Sequence, residues 1–132
     1  MKRVSTRDVV LAAAVLIHLA VAMVHGFAHS RANVMLPPSA TLFVFGVILV
    51  GPVLGLVVQR LALPRGGAWL IAAAMAGALA FGFVNHFMIP GIDHVSHVAE
   101  PWRPLFGITA ALLVATEAFG SAFAAWCAVR AR

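Results

Sequence analysis

The chain has 132 residues, of which 63% are apolar and 10% charged, with a mean hydropathy of +1.02. An ordinary soluble domain carries about half apolar and a quarter charged residues, so this balance excludes a water-soluble globule and equally a disordered chain. Nine Lys and Arg against four Asp and Glu give a formal charge of +5, but the basic residues sit at the ends of apolar runs, which is the signature of membrane topology rather than of nucleic-acid binding. The single cysteine, Cys127, excludes an internal disulfide framework, a C-x-x-C redox motif and a cysteine-held iron–sulfur cluster within one chain.

In chain order, apolar stretches over residues 9–28, 39–58, 68–89 and 105–129 each approach or exceed the roughly 20 helical residues that a hydrocarbon core demands. Lipid offers backbone N–H and C=O groups no partner, so these stretches are expected as helices. The expected fold is an all-α, four-helix transmembrane bundle forming one domain over residues 1–132. Pro37-Pro38-Ser39, Pro64-Arg65-Gly66-Gly67 and the stretch from Pro90-Gly91 to Pro101 and Pro104 separate the spans. Ser39 is expected as an N-cap, Pro104 in a first helical turn, and Gly51-Pro52 as a kink inside the second span. The basic N-terminus followed by an apolar run imitates a secretory leader. The run is longer than a usual leader core, contains His18 and lacks a clean A-x-A site, so it is read as a retained first helix.

Lys2, Arg3, Arg7, Arg60, Arg65, Arg130 and Arg132 fall on one side of this arrangement and only Arg31 and Arg103 on the other. Both termini are therefore expected in the cytoplasm of a bacterial inner membrane. Trp69, Trp102 and Trp126 fall near span ends, where aromatic belts lie. Small residues spaced by four along the third span (Ala73/Gly77, Ala74/Ala78, Ala76/Ala80) suit close helix packing, within the bundle or in a homo-oligomer. The expected partners are the lipid bilayer and other copies of the chain, with no nucleic acid.

The chemistry lies in six histidines and one intramembrane carboxylate. His18, His25 and His29 share one stripe of the first helix, since offsets of 7 and 11 residues return to within about 20°. His86 ends the third span, and the following loop contains Asp93-His94-Val95-Ser96-His97. Five of the six histidines thus gather on the side opposite the termini, expected to be the periplasmic one. His25-x-x-x-His29 puts two imidazoles one turn apart, within reach of one ion. The C-terminal helix ends there carry partial negative charge that favours a cation. The expected metal site comprises His25, His29 and His86 as ligands, with Asp93, His94 and His97 completing or covering it; Asp93 or Glu100 would otherwise orient a histidine N–H. Nitrogen and oxygen donors fit copper, zinc or iron, and the thioethers of Met23, Met35 and Met88 at the same level lean toward copper.

Deeper in the bilayer, His18 and Glu117 are expected as a buried polar pair, because charged groups at that depth are costly and mark a site or an ion path. Each residue also has a plain alternative: His94 and His97 as solvated loop residues, His29 as a helix cap, and His18 with Glu117 as a pair that fixes helix register.

No Walker loop, dinucleotide loop, H-E-x-x-H or serine triad pattern is present. The expected function is transition-metal binding at the extracytoplasmic end, in a membrane metalloenzyme or a redox protein. The alternatives are a small ion or proton transporter or channel using His18 and Glu117, a b-type haem protein with axial histidines, and a purely structural membrane subunit.

Asn85-His86-Phe87, Pro90, Asp93-His94-Val95-Ser96-His97-Val98, Thr109-Ala110 and Glu117-Ala118-Phe119-Gly120 resemble a pattern in uncharacterised small four-span bacterial integral membrane proteins. That resemblance implies the four-helix fold and no activity. The H-x-x-x-H and H-x-x-H strings are also similar to those of membrane di-iron desaturases and hydroxylases. The chain has too few histidines, lacks the H-x-x-H-H boxes and places its cluster outside, so that activity is not carried over.

Overall fold

The structure, a computed structural model, describes residues 5–61 and 63–131. Lys2, Arg3 and Arg132, which contribute to the charge asymmetry, lie outside the described residues. Four long helices account for nearly all of the rest: α1 (Thr6–Arg31), α2 (Pro38–Leu61), α3 (Pro64–Met88) and α4 (Arg103–Arg130). A short 3₁₀ turn, Val95–His97, lies in the loop before α4. No strand occurs among the described residues.

Each helix begins ahead of its apolar run because the starts are built from capping and helix-starting residues rather than from lipophilic ones. Ser5 and Asp8 form a reciprocal capping box ahead of α1. Pro38 and Pro64 begin α2 and α3 at positions whose N–H would be unpaired in any case. Ser39 is therefore not the N-cap expected from the sequence; Pro37 holds that position and Ser39 is already helical. Pro104 does fall in the first turn of α4.

The surface is inverted relative to a soluble protein. Leu16, Leu42, Ile108 and Phe119 are 62%, 75%, 62% and 55% exposed, a display that aggregates in water and is required in hydrocarbon. All four helices are long and apolar enough to cross a membrane. Aromatic and basic side chains mark both ends: Arg7 and Arg130 lie over Trp126 at the end bearing the termini, and Arg31 lies over Trp102 at the other.

Packing is closest between α3 and its two neighbours, α2 and α4, followed by α1 with α4. Helices α2 and α3 approach through glycine: a Cβ on Gly67 would strike the backbone of Gln59 and Gly55. Near the termini, Leu11, Val15, Ile71, Ala72, Met75 and Ala124 form the main core. At the opposite end, Ala28, Val98 and Phe106 form a second core that pins the loop against α1 and α4. Helices α1 and α2 meet chiefly near the termini, where Gln59 Nε2 donates to Asp8 Oδ1 at 2.8 Å. Toward the histidine end they part, leaving a cavity.

Gly51-Pro52, expected as a kink, follows directly on a π-wound stretch over Val44–Val50 in α2. Proline has no N–H to return to the carbonyl one turn back, that of Ile48. A second π turn, Val84–Met88, closes α3 and carries His86; π turns of this kind cluster at functional sites.

Candidate metal centre

Three histidine rings converge at the end of the bundle remote from the termini. His25 and His29 come from the last turns of α1, and His86 from the π turn of α3. One ring nitrogen from each lies within 4.8 Å of the others. Phe106 of α4, fully buried, packs on all three rings at centroid distances of 4.7, 4.8 and 5.3 Å. His25 and His86 are 6% and 5% exposed.

The hydrogen bonds fix which nitrogen of each ring is bare. Thr109 Oγ1 lies 2.7 Å from the Leu105 carbonyl and 3.1 Å from the Phe106 carbonyl, and its one proton goes to one of these two acceptors. It can only accept from His25 Nδ1 at 2.8 Å, so that proton sits on Nδ1 and His25 Nε2 carries a lone pair. His86 Nδ1 faces the Asp93 carbonyl at 3.0 Å, which also only accepts, leaving His86 Nε2 bare. His29 Nδ1 donates likewise to the Val34 carbonyl at 3.3 Å. The two bare nitrogens of His25 and His86 stand 3.2 Å apart. Lone pairs facing at that distance repel unless a cation or a shared proton lies between them. Two ligands at 2.0–2.1 Å from a tetrahedral ion would be ~3.3 Å apart.

Asp93 adds negative charge beside the cluster. Its Oδ1 lies 3.2 Å from His29 Nε2 and 3.3 Å from His86 Nδ1. The residue is buried, and neither carboxylate oxygen has a hydrogen-bond partner among the described residues. Asp93 therefore fits the role of orienting His86 through Nδ1, while its charge beside the bare His29 Nε2 would balance a cation held there. His94 and His97 are placed elsewhere. His94 Nδ1 meets Ser96 and His97 Nδ1 donates to the Gly91 carbonyl at 2.7 Å, while the two rings pack on each other at 5.4 Å in the loop. Glu100 pairs with Arg103 on the surface.

About two helical turns deeper, roughly 10 Å by the helix rise, a second polar layer crosses the bundle. His18 is completely buried and its Nε2 donates to the Ile48 carbonyl at 3.2 Å, the acceptor that Pro52 leaves short of a donor. Its Nδ1 is bare and lies 3.7 Å from Glu117 Oε1, so the expected pair exists as a close approach and not as a hydrogen bond. Glu117 is 2% exposed, and its Oε2 has no partner among the described residues.

A cavity lined by all four helices runs from the histidine layer down to Glu117. It measures about 630 Å³ and is lined by His25, His29, His86 and Asp93 at one end and Glu117 at the other, with mostly apolar walls between. Thr109 and the carbonyl acceptors were not recognised as site groups from sequence. A signal for Thr109 was present: in antiparallel helices, a partner level with His18 at 117 implies a partner level with His25 near 110.

Fold and site together define a membrane protein with four apolar helices and a histidine cluster able to hold a metal ion. Compared with protein-family models, with curated proteins and with solved structures, the chain finds no match in any of the three.

Proposed function

We propose that the protein is a bacterial inner-membrane, transition-metal-binding protein whose site faces the extracytoplasmic side. Nε2 of His25, His29 and His86 would hold the ion. The observation that carries this reading is the matched pattern of the three rings: each Nδ1 points at an oxygen acceptor, the Nε2 atoms of His25 and His86 face each other, and that of His29 faces the Asp93 carboxylate. Metal-binding histidines characteristically give their second nitrogen to such an acceptor. Copper, zinc and iron all suit three imidazoles with a carboxylate alongside, and Met23 and Met35 on the cavity wall keep copper in that set. Binding would draw His29 in by roughly 1–2 Å to reach a tetrahedral ligand spacing. Three protein ligands leave a fourth position open to water or substrate, as in catalytic metal sites. The basic residues near the termini support cytoplasmic ends.

A transport reading has one observation in its favour: Glu117, which approaches His18, lines the same cavity. The haem reading finds less support, because His25 and His86 meet edge to face with centroids 4.8 Å apart, leaving no space between them for a porphyrin plane.

Elemental analysis of protein purified gently from membranes tests the proposal. About one transition-metal ion per chain is expected, falling at least tenfold in His86→Ala. Metal-free wild-type protein that also fails to take up added copper, zinc or iron would overturn it.

A further inference from the structure

We infer that the cavity between α1 and α2 binds a lipophilic molecule drawn sideways from the bilayer, with one polar function at the histidine cluster and a second against Glu117. Its polar end rests on the metal reading above; the cavity, its mouth and Glu117 do not.

The mouth follows from the packing. Helices α1 and α2 are tied near the termini and diverge toward the histidine end. Met23 and Phe27 of α1, Met35 of the connection and Phe45 of α2 line the cavity and are 67%, 53%, 75% and 59% exposed. In a bilayer these side chains face acyl chains, so the opening admits apolar molecules without passage through water. A volume of about 630 Å³ falls in the middle of the range for small-molecule pockets.

The two ends state what the occupant must carry. Asp93 and Glu117, 8% and 2% exposed, each present unpartnered oxygens and each line this cavity. A buried polar atom without a partner costs free energy that a ligand hydrogen bond recovers. An all-hydrocarbon tail would leave Glu117 Oε2 unsatisfied, so a plain acyl chain is the poorer fit. The layers of His25 with Thr109 and of His18 with Glu117 are roughly 10 Å apart along the helices. The favoured occupant is an apolar body of that length with an oxygen or nitrogen function at each end.

The test uses alkyl hydroxamic acids, whose heads bind metals, from butano- to dodecanohydroxamic acid, each with and without an ω-hydroxyl group. Binding to the protein in lipid nanodiscs is measured by calorimetry, with empty nanodiscs as the partition control and metal content determined on the same samples. Affinity referred to water is expected to rise about fourfold per methylene while the chain fills the cavity and then to level off, whereas partition into empty nanodiscs keeps rising with length. The ω-hydroxyl should add about tenfold only near eight carbons, where it reaches Glu117. Glu117→Leu should remove that increment and Glu117→Gln should keep most of it, with the unsubstituted chains unaffected. Gly26→Phe, placed where a Cβ meets nothing within 4 Å, and Val44→Trp on the facing wall should both abolish chain-length dependence without loss of metal. Affinities that merely track partition into empty nanodiscs, or that ignore both filling variants, overturn the inference. If the metal reading alone fails, hydroxamates lose their advantage over matched alcohols, while chain-length dependence and sensitivity to Gly26→Phe persist.

Discussion

At the scale of single residues, the Thr109 hydroxyl decides which nitrogen of His25 is available. Because its proton goes to a backbone carbonyl, of Leu105 or Phe106, it accepts from the imidazole in its Nδ1–H form and aims Nε2 at His86. Thr109→Val removes that acceptor while keeping the shape, and metal affinity should fall by about 10–100-fold, as for other partners of ligating histidines. Thr109→Ser should restore most of it; competition against a chromophoric chelator measures both. Protons compete with the ion for the same lone pairs, so affinity should fall on acidification and recover when the pH is returned to neutrality. The sign follows from the ligand form: a protonated imidazole cannot bind metal. The same chelator competition repeated across pH checks it. His18 is a second case of a residue defined by its acceptor. His18→Leu strands both Glu117 and the Ile48 carbonyl and should cost about 1–3 kcal/mol. Glu117→Leu strands less, because His18 keeps its bond to Ile48. Adding Glu117→Leu to His18→Leu should therefore recover part of the loss in unfolding titrations.

At the scale of elements, the spans were legible in the sequence because lipid requires long apolar helices, and the apolar runs lie inside the observed helices apart from one residue, Ile89, at the end of the third. Their ends were not, since Ser5 and Asp8 lie outside the apolar run and Pro38 displaces Ser39 from the cap. The pairing of His25, His29 and His86 was legible from helical period and from the side of the membrane on which each falls. The inclusion of His94 and His97 followed from the same logic of sides, but the Val95–His97 turn directs their bonds to Ser96 and Gly91. Loop conformation has no periodicity to read. The π turns, which set the aim of His86 and free Ile48, arise from proline positions and tertiary packing together, and no residue pattern announces them. Helix contact yields its own test. Gly67→Val forces a side chain against the backbone of Gln59 and Gly55, which rotation cannot relieve, and should destabilise by about 1–3 kcal/mol. Gly77→Ala meets nothing closer than 3.6 Å and should leave unfolding nearly unchanged.

At the scale of the molecule, a bundle closed at the end bearing its termini and parted at the other places a histidine cluster able to hold an ion and an apolar cavity in one continuous space. The design separates roles: small residues and glycines hold α2, α3 and α4 together, while α1 and the outer half of α2 shape the opening. The charge asymmetry predicts that a reporter fused after the C-terminus is active in the cytoplasm and that one inserted in the loop between α3 and α4 is active outside. The account as a whole depends on three imidazoles sharing one ion. X-ray absorption at the zinc edge, on membrane-embedded protein given one equivalent of Zn²⁺, examines that directly. The account predicts a nitrogen shell at about 2.0 Å with the outer-ring scattering of three imidazoles, reduced to two in His86→Ala. An ion surrounded only by water or carboxylate oxygens, with a spectrum indifferent to His86→Ala, would contradict it.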